Sequence, residues 1–154
     1  MPSFTPVRRS LLAAIAAGAL LLPGAAFAYQ DTAAAPAAPM PQVSIKTTMG
    51  EIVVELDKEA APKNVANFLA YVKSGFYKGT IFHRVIDGFM IQAGGMNEKF
   101  EGRKTRPAVK NESNNGLSNL PYTVAMARED NPDSATSQFF INVADNSGID
   151  YPHV

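Results

Sequence analysis

The 154-residue chain has no cysteine and no tryptophan. Without cysteine it has no disulfide framework, no thiolate nucleophile and no sulfur ligand for a metal. Its two histidines, His83 and His153, leave little for a histidine-based metal centre. An excess of one charge is also missing, since 14 basic residues balance 14 acidic ones. Nucleic-acid-binding domains usually carry a basic surplus, so no such partner is expected. There is no run of about 20 apolar residues, so no permanent membrane span is expected. The signatures G-x-S-x-G, S-x-x-K and G-x-x-x-x-G-K are absent too.

The first 28 residues read as a processing signal rather than part of a fold. Arg8 and Arg9 form a positive head. Leu11 to Leu22 contains only Leu, Ala, Ile and Gly, and Pro23-Gly24 ends it. Ala26-Phe27-Ala28 places small residues where a signal peptidase reads. That order predicts a secretory signal peptide cut after Ala28 and an exported, periplasmic product. The arginine pair followed by Ser10-Leu11-Leu12 also resembles a twin-arginine export signal. Loss of two basic and no acidic residues leaves a net charge of −2. Residues 29–41 follow, rich in Ala and Pro, and predict a flexible tether. Residues 42–154 remain as the folded unit.

Within that unit, Val43-Ser44-Ile45-Lys46-Thr47 alternates apolar and polar residues, as a half-buried strand does. Met49-Gly50 turns it into a second strand, Ile52 to Leu56. The period then changes. Pro62 suits a first helical position, Val65, Phe68, Leu69 and Val72 form an apolar stripe, and Gly75 suits the helix end. Thr80–Val85 and Phe89–Ala93 predict two strands joined at Asp87-Gly88. Residues 94–121 lack periodicity, and a loop of that length is usually functional or mobile. Tyr122–Ala127 and Gln138–Val143 predict two more strands. About six strands and one helix suit an antiparallel barrel or sandwich.

Two runs set polar residues among apolar ones. In Phe82-His83-Arg84-Val85-Ile86-Asp87-Gly88-Phe89-Met90-Ile91-Gln92, alternation puts Phe82 with Arg84 on one face and His83 with Val85 on the other. Met90 and Gln92 also share a face. The second run is Ser134-Ala135-Thr136-Ser137-Gln138-Phe139-Phe140-Ile141-Asn142. Pattern alone also allows Arg84 to be a sheet-face charge with a packed stem and the phenylalanines to be core. His83 and Asp87 straddle a strand end and make a poor dyad. Asn111-Glu112-Ser113 matches the N-glycosylation pattern, which occurs often by chance.

The first of these runs, together with Ser137-Gln138-Phe139-Phe140-Ile141, closely resembles the two signature segments of cyclophilins, the cyclophilin-type peptidyl-prolyl cis-trans isomerases. The resemblance extends from about Val43 to Val154. It includes the helix Ala61 to Leu69, Asn111-Glu112 through Gly116-Leu117, and Val124-Ala125-Met126-Ala127-Arg128. With the signal peptide, the chain is similar to the exported bacterial branch.

The resemblance implies a mainly β fold, a closed antiparallel eight-stranded barrel with a helix capping each end. It implies an enzyme that rotates X-Pro peptide bonds without a cofactor, acting on proline-containing peptides and unfolded exported proteins. By motif position, Arg84 is the catalytic arginine. Phe89, Met90 and Phe140 form the pocket for the proline ring, with Gln92 beside them. Ala127 and Arg128 lie along the bound peptide. Ungapped counting from Phe140 puts Ile149 at an apolar pocket position and His153 at the groove histidine. Gly148 stands where some members have tryptophan, which implies weak cyclosporin binding. Glu129 stands where the family often has a smaller residue. Family members continue past the equivalent of Tyr151-Pro152-His153-Val154 with a Phe-Gly-Lys-Val strand and a second helix. The domain is therefore expected to be incomplete at its C-terminus. A peptide-binding, chaperone-like module with little isomerase activity is the alternative this leaves open.

Overall fold

A computed structural model describes residues 39–150. The expected signal peptide, most of the tether, and residues 151–154 lie outside the described residues.

β1 (Gln42–Thr47) and β2 (Gly50–Glu55) form an antiparallel hairpin, from Gln42 opposite Glu55 to Thr47 opposite Gly50. Thr47 Oγ1 secures the turn. It accepts from the Met49 amide at 3.1 Å and donates to the Gly50 carbonyl at 2.8 Å. The alternation works as expected, with Val43, Ile45, Ile52 and Val54 joining the core.

The helix α1 spans Pro62–Lys73, with Pro62 in its first turn and Gly75 beyond its end at φ 67°. Ala61 has no side chain to cap the free amides, and Glu112 reaches in from the long loop instead. Its carboxylate accepts from the Lys63 amide at 3.1 Å, the Asn64 amide at 3.0 Å and Asn64 Nδ2 at 2.8 Å. Glu112→Ala should therefore cost about 1–2 kcal/mol of stability, read from urea unfolding. Val65, Phe68, Leu69 and Val72 face the core as the stripe requires. Tyr71 lies off that stripe yet is 1% exposed. The long loop covers it, since the Arg106 amide donates to its hydroxyl at 2.7 Å and the Arg106 guanidinium stacks 5.6 Å from its ring.

The remaining strands are β3 (Arg84–Ile86), β4 (Met90–Ala93), β5 (Val124–Met126) and β6 (Phe139–Asn142). They form one antiparallel sheet in the order β3-β4-β6-β5. The third strand is shorter than the pattern predicts and displaced toward the turn. Residues 81–83 are not in it, because β4 ends at Ala93 and Gly94, at φ 87°, swings the chain away. Beyond that point only single contacts remain, such as the Ile81 amide on the Met96 carbonyl at 3.0 Å. The described residues thus give a mainly β fold with one long helix. Their six strands lie in two separate sheets of two and four strands, not in one ring of eight.

The core lies between the hairpin, α1 and one face of the larger sheet. Val54, Leu56, Val65, Phe68, Ala93, Phe139 and Ile141 are its buried members. Phe139 meets Phe68 edge-on at 5.4 Å and Tyr77 at 5.7 Å. Burial pushes the Tyr77 phenol pKa well up, with Tyr71 adding to it, and the hydroxyl donates to the Ser137 carbonyl at 2.9 Å. Gly94 is confined for the same reason. A Cβ there would lie 2.7 Å from the Ser137 carbonyl oxygen. The loop 94–121 has no long strand but is pinned. Val109 bridges to Ala135, and Arg103 donates to the Phe76 and Lys78 carbonyls.

Candidate active site

The sheet face turned away from this core carries the site. Register across β3-β4-β6-β5 places Arg84 opposite Gln92, Gln92 opposite Phe140, and Phe140 opposite Ala125. The next row sets Ile86 opposite Met90 and Met90 opposite Asn142. One exposed guanidinium therefore ends a row whose other end is apolar. Arg84 Nη1 donates to Gln92 Oε1 at 3.3 Å. Gln92 Nε2 donates onward to Gln138 Oε1 at 2.8 Å. This chain restricts the guanidinium while leaving its remaining N–H groups free to point outward.

Beside the row lies a second apolar cluster, separate from the main core. Met90, Ala125 and Phe140 form its buried base, and Phe89, Ala127 and Ile149 pack against it half-buried. Met90 is 2% exposed and Phe140 5%. The sequence-predicted residues Arg84, Phe89, Met90, Gln92, Ala127, Phe140 and Ile149 are thus brought to one face. Ala127 donates its amide to the Gln138 carbonyl at 2.9 Å, one residue past β5. Arg128 follows, its Nη1 donating to the Glu129 and Asp130 carbonyls at 2.5 and 2.9 Å. His153 lies outside the described residues.

Gln138 belongs to the site as well, and strand alternation is the signal that carries it. Residues 138, 140 and 142 alternate onto the same face, and Gln138 ends the hydrogen-bonded chain from Arg84 through Gln92. Gly95 belongs with it, since a Cβ there would lie 2.6 Å from the Gln138 side chain. Among the described residues no three His, Asp or Glu side chains gather as a metal site. None of their helices is long and apolar enough to cross a membrane.

This arrangement defines an apolar shelf flanked by a held arginine. The family model for "Cyclophilin type peptidyl-prolyl cis-trans isomerase/CLD" matches residues 42–154. The chain belongs to the cyclophilin-type peptidyl-prolyl cis-trans isomerase family. It is 56% identical over 109 residues to peptidyl-prolyl cis-trans isomerase A of Dickeya dadantii, covering 71% of this chain and 57% of that one. It is 54% identical over 112 residues to the isomerase cyp18 of Streptomyces antibioticus, covering 73% and 68%. It therefore spans little more than half the length of the Dickeya relative. Among solved structures it resembles a Cryptosporidium parvum cyclophilin-type isomerase crystallised in the presence of the dipeptide Ala-Pro. That match has a TM-score of 0.66 and 32% identity, and covers 74% of this chain and 75% of the other.

Proposed function

We propose that this chain is a peptidyl-prolyl cis-trans isomerase that rotates X-Pro bonds in unfolded exported proteins. The observation that carries the reading is the register row Arg84–Gln92–Phe140–Ala125, with the Met90 and Phe140 shelf beside it. The Ala-Pro dipeptide named for the Cryptosporidium relative supports a proline-containing ligand for this shelf. In this reading β1 to β6 are six strands of the family's closed eight-stranded barrel. The N-terminal segment is a signal peptide, the product is periplasmic, and cyclosporin binds weakly because Gly148 replaces an aromatic.

An X-Pro amide is kept planar by resonance, with a barrier of about 18–20 kcal/mol. Unassisted rotation takes roughly tens to hundreds of seconds. No covalent bond is made or broken, so the reaction needs no nucleophile, general base or cofactor. At the twisted transition state the prolyl nitrogen regains a lone pair. A guanidinium donor aimed at that nitrogen binds the twisted form better than either planar one, and this differential binding is the catalysis. Arginine suits the task because it stays charged and presents a rigid donor fork. The shelf of Phe89, Met90, Phe140 and Ile149 grips the ring and excludes water, which strengthens the electrostatic contribution. Gln92 holds the guanidinium in line. Backbone groups near Ala127 and Arg128 hold the rest of the peptide while one side of the bond turns.

A protease-coupled assay of a tetrapeptide containing Ala-Pro tests the reading. Acceleration proportional to protein concentration is expected. Peptide binding without acceleration would instead make the chain a holding module.

A further inference from the structure

Asn142 ends β6 on the site face and is 0% exposed. A buried amide at that position costs free energy unless it is fully paired, and an apolar side chain would fill the space without that cost. Here every polar atom of the side chain is engaged. Its Nδ2 donates to Asn119 Oδ1 and to Thr123 Oγ1, each at 3.0 Å. Its Oδ1 accepts from Asn146 Nδ2 at 2.7 Å.

The same Asn146 Nδ2 donates to the Phe89 carbonyl at 2.7 Å, and the Asn146 amide donates to the Asn119 carbonyl at 2.8 Å. Asn119, itself 1% exposed, donates its amide to Asp150 Oδ1 at 2.7 Å, and Ser118 Oγ donates to Asp150 Oδ2 at 2.6 Å. Hydrogen bonds from Ser118 and then from Asn119 hold the Asp150 carboxyl below its ordinary pKa. The network therefore ties together two segments remote in sequence. One is Phe89, just before β4, and the other is the short turn Ser147–Ile149 that carries Ile149. Each supplies one half-buried wall of the shelf.

We propose that Asn142, acting through Asn146, is a positioning residue that sets the spacing between Phe89 and Ile149, and hence the grip on the proline ring. This rests on the isomerase reading above. The two walls hold the ring in the planar and the twisted states alike. Loosening them removes binding common to both states, which appears in KM and not in kcat. Arg84 and its Gln92–Gln138 chain lie outside the network, so the twisting step keeps its donor.

The test uses Asn142→Ser and the milder Asn146→Ala, assayed with an Ala-Pro tetrapeptide below each variant's unfolding transition. KM should rise about tenfold for Asn142→Ser and less for Asn146→Ala, with kcat within about twofold of the wild type. Glu112→Ala is the control, because it loosens the fold at the far helix cap. It should lower the unfolding midpoint with KM unchanged. If Asn146→Ala folds and leaves KM unchanged in an active wild-type background, the positioning role is overturned while the isomerase reading stands. A wild-type chain that neither turns over nor binds the tetrapeptide overturns both.

Discussion

Replacing Arg84 with alanine is expected to lower kcat/KM for an Ala-Pro tetrapeptide by about two to three orders of magnitude, the usual cost of deleting one preorganised donor at a site of developing charge. The fold should be unaffected. Arg84 is exposed, and its side-chain bond to Gln92, at 3.3 Å, is long. Its neighbours in β3, Val85 and Ile86, are exposed as well, so truncation opens no cavity. The loss should fall on kcat, because a planar X-Pro amide has no nitrogen lone pair for the guanidinium to meet. Arg84→Lys should recover little. An ammonium on a flexible stem keeps the charge but not the fork that Gln92 holds in line. Stopped-flow isomerisation with thermal unfolding on the same samples would separate the two effects. A variant that keeps the wild-type rate would remove Arg84 from the mechanism and the isomerase reading with it.

What the sequence made legible, and what it hid, follows from the range of each interaction. The β1–β2 hairpin, α1 and the Asp87-Gly88 turn are set by periods and breakers within a few residues, and all appear where expected. The family resemblance, not alternation, grouped Arg84 and Phe140 with Met90 and Gln92. Alternation put Met90 with Gln92 on one face, as observed, but also Phe82 with Arg84, and Phe82 lies outside β3 and packs against Phe139 in the core. Alternation could not give the register between strands. That Gln92 lies between Arg84 and Phe140 depends on pairings across β3, β4 and β6. The shortening of the third strand was hidden for a related reason. Thr80 to Phe82 has good strand propensity, but a strand needs a partner, and Gly94 takes the partner away. Tyr71 and Glu112 were hidden by distance. Their hydrogen bonds join α1 to a loop 35 and 49 positions away. The asparagine network has no local signature either. Asn119, Asn142 and Asn146 look like ordinary loop or strand-end residues until three segments meet.

The adjacent rings of Phe139 and Phe140 should give opposite phenotypes, because they lie on opposite faces of β6. Phe139 is 4% exposed and packs against Phe68, Tyr77 and Phe82, with centroids 5.4, 5.7 and 6.5 Å away. Phe139→Ala removes the ring around which that aromatic group is arranged. The neighbours come from α1, the following turn and the stretch before β3, so they cannot collapse together into the space. A loss of about 3–5 kcal/mol is expected, a large part of the roughly 5–15 kcal/mol that holds a domain together. The fraction still folded should retain a site, because Arg84, Gln92 and Met90 do not depend on that ring. Phe140 is equally hidden, but its cluster has only Met90 and Ala125 as buried members, with half-buried Phe89, Ala127 and Ile149 around them. Water or a closing side chain can reach a gap there, so Phe140→Ala should destabilise less. It removes the floor under the proline ring, however, and the ring then no longer sits in line with Arg84. A fall of more than about tenfold in kcat/KM is expected while the protein is fully folded. Urea unfolding and the isomerase assay, run on both variants at a temperature where each is folded, read the contrast directly. If Phe140→Ala proved the less stable and Phe139→Ala the less active, the site would have to move to the other face of the sheet.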